Sequence, residues 1–464
     1  MPKDLFDFSS FVSKVAIKTD TGDELTYGQL QHDADGLKPF FAQGNLAFCL
    51  CSNTIASIVG YVSLVQNGVA TLLLDAEKDA ELLTNLLNVY HPNYVWSPAG
   101  KVTGKPLVDY GGYTLYEHSR EKIEVHPDLA LLLTTSGSTG SPKLVRLTKK
   151  NLFSNAVSIA KYLNISADDR PVTSLPMYYS YGMSVIDSHF IKGATLLLTQ
   201  KTVLERDFWN FVKSDRATSI AGVPYTYEML KRLRFFKMDL PDLKVMIQAG
   251  GKLNADIVKE YVKFAIEKGK EFIVMYGQTE AAPRMSYLPF NRALEKYASI
   301  GIAIPGGKFS IRDVNDHDIE APDVDGELVY IGDNVCMGYA ETPEDLAKGD
   351  ENNGVLHTGD VARMDADGFY YITGRMKRFV KVWGNRVNLD AIEQLIKPIT
   401  PDCACTGVDD HITVFITDEE LSITIGQFLT EKTGLNIRAF SIMTIPEIPK
   451  KGSGKIDYAG LPTD

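Results

Sequence analysis

Thr134-Thr135-Ser136-Gly137-Ser138-Thr139-Gly140-Ser141-Pro142-Lys143 is the stretch on which the reading of this chain turns. It follows the apolar run 129–133 directly, and every residue from 134 to 141 is Gly, Ser or Thr. Such a loop lets backbone N–H groups and hydroxyls approach phosphate oxygens, and Lys143 adds a mobile positive charge. A flexible linker can have the same composition. A Walker A loop cannot, because GxxxxGK[ST] needs glycine directly before the lysine, where this chain has Pro142.

Outward from the loop, strand-like and helix-like segments alternate. Apolar runs at 46–51, 70–74, 129–133, 194–198, 244–247 and 272–275 read as buried strands. Helical spacing marks 54–65, 79–89, 151–163 and 255–267. Continuous apolar strands between helices predict parallel sheets covered on both faces. Gly68-Val69-Ala70-Thr71-Leu72-Leu73-Leu74 echoes Gly193-Ala194-Thr195-Leu196-Leu197-Leu198, consistent with two similar α/β subdomains or with convergent use of glycine before a buried strand. From about residue 308 the texture changes to short β-prone runs at 309–314, 326–331 and 368–373, a small β subdomain. The expected architecture is α/β: a large N-terminal domain, residues 1–375, of two α/β subdomains plus the β subdomain. A small α+β C-terminal domain, residues 376–464, follows Gly374-Arg375.

Composition narrows the function classes. The 464 residues are 44% hydrophobic and 23% charged, ordinary globular values. A net charge of −11 argues against a nucleic-acid partner, although a nucleotide needs only local positive charge. No apolar run approaches the roughly 20 residues of a membrane span. Met1-Pro2-Lys3-Asp4 has an acid where a secretory signal has bases, so a cytoplasmic location is expected. Five cysteines make no disulfide framework, and the eight histidines show no zinc spacing. Asp365-Ala366-Asp367-Gly368 begins like a calcium loop but lacks the later ligands and reads as a β-turn.

Four further motifs follow the Gly/Ser/Thr loop. They are Tyr276-Gly277-Gln278-Thr279-Glu280; Leu356-His357-Thr358-Gly359-Asp360; Gly374-Arg375 with Lys381-Val382-Trp383-Gly384-Asn385-Arg386-Val387; and Pro449-Lys450-Lys451-Gly452-Ser453-Gly454-Lys455-Ile456. Taken alone, Asp360 could be a turn residue, Glu280 a helix cap and Lys455 a surface lysine. In this order the five motifs resemble those of the adenylate-forming superfamily: acyl-CoA synthetases, luciferases and non-ribosomal peptide adenylation domains. The resemblance covers nearly the whole chain and is strongest to AMP-forming acid–CoA ligases.

That resemblance implies ATP-dependent activation of a carboxylic acid to an acyl-adenylate, release of pyrophosphate, and transfer to the thiol of coenzyme A. The alternative acceptor is the phosphopantetheine of a carrier protein, loaded by a free-standing adenylation enzyme. It further implies that Thr135, Ser136, Gly137, Ser138, Thr139, Gly140 and Lys143 hold the β- and γ-phosphates. Thr279 would touch the α-phosphate and Glu280 would ligate magnesium (Mg2+), a hard cation that prefers oxygen. Asp360 would accept from the ribose hydroxyls, with Arg375 beside ribose or phosphate. Gly250, Gly251, Tyr276 and Gly277 would flank the adenine. Lys455 would bridge the attacking carboxylate and the α-phosphate, while Gly384 and Arg386 belong to the hinge motif, Gly384 lining the thiol path.

The acyl pocket is expected from residues 178–183, Val223, 281–284 and 298–304. Many relatives carry histidine where this chain has Tyr179, and amino-acid adenylation domains carry an aspartate near Ser180. A hydroxyl there leaves a buried substrate ammonium unpaired, which disfavours α-amino acids. Core packing is the expected role of Tyr178, Tyr179 and Tyr181.

Overall fold

The computed structural model describes residues 4–77, 80–134, 143–383, 385–450 and 456–462, with the side chains of Lys377, Phe379, Asn385 and Arg386 outside the description. The chain divides into two compact units. One runs to Lys308 and resumes over Ile331–Leu356; the other comprises Phe309–Tyr330 and His357–Asp464.

The first unit is built on two large sheets. In one, the strands Leu129–Thr134, Ala70–Asp75, Leu46–Cys51 and Tyr94–Pro98 are parallel neighbours. Antiparallel strands flank them, including Leu144–Thr148 and Gly338–Ala340. In the other, Val15–Thr19, Leu196–Leu198, Pro171–Val172, Ser219–Gly222, Val245–Gln248 and Glu271–Gly277 are parallel. It closes through antiparallel Arg284–Tyr287 and Ile302–Ala303. The expected parallel sheets are therefore parallel at their centres and antiparallel at their edges. The two echoing segments become interior strands of different sheets.

Local chemistry sets the element boundaries. Helix Ile55–Gln66 starts where Thr54 Oγ1 accepts from Ser57 N–H at 3.3 Å. Helix Lys149–Tyr162 starts at a reciprocal capping box between Thr148 and Asn151. Helix Ala255–Lys268 ends at Gly269 in the left-handed conformation. The strand Leu46–Cys51 is buried along its whole length, as a doubly covered strand must be.

The second unit holds a four-stranded sheet, Lys308–Arg312, Gly326–Ile331, Val355–Met364 and Tyr370–Arg375. Asp365 closes its last hairpin by accepting from the N–H groups of Asp367 (3.0 Å) and Phe369 (2.9 Å), the anticipated β-turn. After residue 376 come the hairpin Phe379–Val382 with Asn385–Asn388, helices Leu389–Ile396 and Ser422–Thr433, and a sheet of Cys403–Val408, His411–Ile416 and Phe440–Thr444. Cys403 and Cys405 pack into that core as free thiols.

Candidate functional site

The strands Leu129–Thr134 and Leu144–Thr148 form an antiparallel hairpin in which Thr134 faces Leu144. This frames the Gly/Ser/Thr loop, whose residues Thr135, Ser136, Gly137, Ser138, Thr139 and Gly140 lie outside the described residues. Lys143 closes it. The strand Gly338–Ala340 pairs with the residues just after Lys143, placing Tyr339 opposite Val145. The Lys143 ammonium consequently sits 4.0 Å from the centre of the Tyr339 ring and 3.2 Å from Glu341 Oε1. The Tyr339 hydroxyl donates to Glu280 Oε1 at 2.9 Å. Burial and the Glu280 carboxylate push that phenol well above its usual pKa, so it remains a donor. One aromatic ring thus links the proposed phosphate lysine to the proposed metal carboxylate.

Buried amides place Glu280. Asn151 of the capping box donates to the carbonyls of Asp333 (2.8 Å) and Val335 (2.7 Å). The segment so held reaches across to the turn 279–284: Asn334 Nδ2 donates to the carbonyls of Ala281 (2.6 Å) and Arg284 (3.0 Å). Cys336 N–H donates to the Glu280 carbonyl at 2.8 Å. Thr279 Oγ1 lies 3.2 Å from Ser180 Oγ, at the first residue of helix Ser180–Phe190. Tyr276 ends the strand Glu271–Gly277, and its hydroxyl accepts from Gln278 Nε2 at 3.3 Å. At Gly277 any side chain would overlap the Pro283 carbonyl.

Gly250 and Gly251 follow the strand Val245–Gln248. The fully buried Gln248 amide holds their turn by donating to the Gly251 carbonyl at 2.9 Å. Gly250 has φ +84°, and a Cβ there would stand 2.7 Å from the Tyr179 hydroxyl. Position 250 thus requires glycine twice, for its backbone and for its space.

In the second unit, Asp360 faces Arg375 across the hairpin of Val355–Met364 and Tyr370–Arg375. Arg375 Nε meets Asp360 Oδ1 at 2.9 Å; the aspartate is buried, the arginine side chain 59% exposed. Thr358 Oγ1 accepts from Asp360 N–H at 3.1 Å and donates to the Leu328 carbonyl at 2.6 Å, which ties the Thr-Gly-Asp motif to its neighbouring strand. Arg386 lies in the strand Asn385–Asn388, its side chain beyond the description. Gly384 and Lys455 lie outside the described residues.

The expected acyl pocket has a dense aromatic wall. Tyr181 is buried and donates to the Ile247 carbonyl at 2.7 Å. Tyr179 packs on the same cluster as Val223 and Met275, and Tyr178 on the neighbouring core. The strand Ile302–Ala303 lies beside Arg284–Tyr287, so segments 281–284 and 298–304 are adjacent. Arg284 is 1% exposed within this wall. Sequence reasoning missed Tyr339, Asn334, Cys336 and Gln248 as site supports. Only the Asn151 half of a capping box carried a readable signal.

A family model for AMP-binding enzymes matches residues 8–340. Feruloyl-CoA synthase from an Amycolatopsis species is 30% identical over 288 residues, 61% of this chain and 57% of the relative. A long-chain-fatty-acid–CoA ligase of Escherichia coli O157:H7 is 30% identical over 364 residues, 74% of this chain and 63% of the relative. The chain thus matches less than two thirds of the length of these relatives. Among solved structures, Bacillus subtilis O-succinylbenzoate coenzyme A synthetase (MenE) with AMP superposes with a TM-score of 0.81 at 20% identity, covering 100% of this chain and 98% of that one. ATP-bound MatB from Rhodopseudomonas palustris gives 0.78 at 20% identity over 99% and 98%. At that identity the structural likeness speaks for the fold, while the match over residues 8–340 makes this chain a member of the AMP-binding enzyme family.

Proposed function

We propose that this protein activates a carboxylic acid with ATP, forming an acyl-adenylate and pyrophosphate, and then passes the acyl group to the thiol of coenzyme A. The observation that carries this reading is the contiguous set Lys143–Tyr339–Glu280, with Thr279 adjoining Glu280 in sequence. Attack of a carboxylate on the α-phosphate gathers negative charge, which fixed cations and donors stabilise. Lys143 and the loop hydroxyls would hold the β- and γ-phosphates, and Thr279 the α-phosphate. Among the described residues no group of three or more His, Cys, Asp or Glu is placed to hold a metal. One carboxylate suits magnesium nonetheless, because that ion keeps several waters and takes the rest of its shell from phosphate oxygens. Glu280 fits that ligand role, and the bound ion would neutralise phosphate charge. Asp360 and Arg375 would serve the ribose, Gly250, Gly251, Tyr276 and Gly277 the adenine, and Lys455 the attacking carboxylate.

The domain boundary belongs to the same proposal. Arg375 is paired with Asp360 of the β-sheet. Arg378 is anchored to Asp390 and to Glu393 of helix Leu389–Ile396, and lies 4.0 Å from the Tyr458 ring. Only Met376 and Lys377 stand between the two anchors. We place the pivot of a mobile C-terminal domain, residues 376–464, there, with Gly384 and Arg386 on the side that meets the thiol. A cytoplasmic location accords with the five buried free cysteines and with the absence, among the described residues, of a helix long and apolar enough to cross a membrane.

The test is acid-dependent exchange of labelled pyrophosphate into ATP. Exchange without ADP is expected, and stoichiometric ADP with a good acid substrate would sink the assignment. Offering coenzyme A and a phosphopantetheinylated carrier protein in turn decides the acceptor.

A further inference from the structure

Two arginines of the first unit are almost wholly buried, and they are satisfied differently. Arg146 is 0% exposed; its guanidinium meets the Glu351 carboxylate and donates to the carbonyls of Met337, Lys348 and Gly349. Arg284, at 1% exposed, meets no carboxylate within ion-pair distance among the described residues. Its Nε and Nη2 reach Ser184 Oγ at 3.2 and 3.0 Å, and Nη1 reaches Met275 Sδ at 2.6 Å and the Tyr162 hydroxyl at 3.5 Å. Its face lies 4.4 Å from the centre of the Tyr181 ring. Each of these partners is neutral. Burial holds the phenols of Tyr162, Tyr179 and Tyr181 above their usual pKa, so none supplies a phenolate. His189 is held down at about 4 by burial and is also neutral. A buried guanidinium without an anion is costly unless an anion arrives.

The place of Arg284 says which anion. Its backbone pairs with Gly277, two residues before Thr279. Ser184, which holds the guanidinium, lies one helical turn beyond Ser180, which touches Thr279. Residues four apart on a helix are about 5–6 Å apart at Cβ. A carboxylate reacting near Thr279 would therefore carry its far end toward Arg284.

We infer that Arg284 binds a second carboxylate of the acid substrate, so that this site takes short dicarboxylic acids. The inference rests on the acid-activating reading above. An arginine poised for a carboxylate rejects an analogue that lacks it, since the charge is then left buried and unpaired.

The experiment compares glutarate and adipate with their monoamides and with pentanoate and hexanoate in pyrophosphate exchange. In the wild type, kcat/KM for the dicarboxylates is expected to exceed that of the monoamides by about 10²-fold or more. Arg284→Met should collapse the ratio below about tenfold, and Arg284→Lys should keep part of it. Preference of the wild type for the monocarboxylates, or an unchanged ratio in folded Arg284→Met, overturns the inference. Should Arg284→Met fail to fold, thermal shifts of the wild type decide: stabilisation by glutarate or adipate alone supports it, and equal shifts with the monoamides overturn it. Silence with every acid in exchange, with a dicarboxylate-specific thermal shift retained, faults the adenylation reading instead.

Discussion

Replacing Tyr339 by phenylalanine removes one hydroxyl and leaves the ring. The ring still lies 4.0 Å from the Lys143 ammonium, so the cation–π contact survives. What disappears is the 2.9 Å donation to Glu280 Oε1. A hydrogen bond to a charged group contributes about 1.5–3 kcal/mol. Tyr339 is half-buried, so the lower part of that range applies, about 1.5–2 kcal/mol. That corresponds to about 10–30-fold in kcat/KM for magnesium-ATP. The loss should appear as a rightward shift of the magnesium titration of pyrophosphate exchange, because the carboxylate is held less firmly in its ligating pose. Because the bond is already made without nucleotide, the melting temperature should also fall by a few degrees. Tyr339→Leu removes the ring as well and should lose a further ~0.5–1 kcal/mol at Lys143, the proposed phosphate lysine. If Tyr339→Phe stays within about twofold of wild type at every magnesium concentration, the coupling of Tyr339 to Glu280 has no part in binding the metal–nucleotide pair.

Lys455→Ala should lower kcat for adenylation by about 10²–10³, while transfer from a pre-made acyl-adenylate survives; equal loss in both half-reactions refutes its role. Lys377→Pro, which fixes φ near −65°, and Gly384→Leu should each keep pyrophosphate exchange and lose thioester formation; a folded Lys377→Pro protein with normal thioester formation refutes a pivot there. Arg378→Met should destabilise the C-terminal part by about 3–5 kcal/mol, because it leaves the Glu393 carboxylate buried without its cation. Burial already raises the Glu393 pKa in the presence of Arg378, and without the arginine it rises further. A carboxyl raised in the folded state favours folding at low pH and loses that contribution as pH rises through its folded pKa. The deficit of Arg378→Met in denaturant melts should accordingly shrink between neutral pH and about pH 5, and a constant deficit refutes the assignment.

How much was legible in the sequence follows from which forces leave a pattern. Buried strands such as Leu46–Cys51 and Leu129–Thr134 were readable because a strand covered on both faces must be apolar throughout. The strand Val355–Met364 was not, since it carries His357, Thr358, Gly359 and Asp360 and is fully buried only at Leu356 and over 360–362. The Gly/Ser/Thr loop announced itself by composition, and the structure adds that a hairpin frames it. The supports of Glu280 left no trace of that kind. Asn334 and Cys336 act through backbone carbonyls of the turn, and Asn151 through the carbonyls of Asp333 and Val335. A carbonyl is available at every residue, so a side chain that grips one leaves its partner's identity unspecified. Arg284 is the complementary case. Its type and position were readable, but its burial among neutral partners depends on where helix Ser180–Phe190 and the strand Glu271–Gly277 bring Ser184 and Met275. The residues proposed to bear chemistry were thus visible one at a time, whereas their mutual placement depends on buried amides that answer to geometry. Substitution at Asn334 should for that reason perturb the Glu280 turn as surely as substitution at Gly277, although neither residue carries a charge.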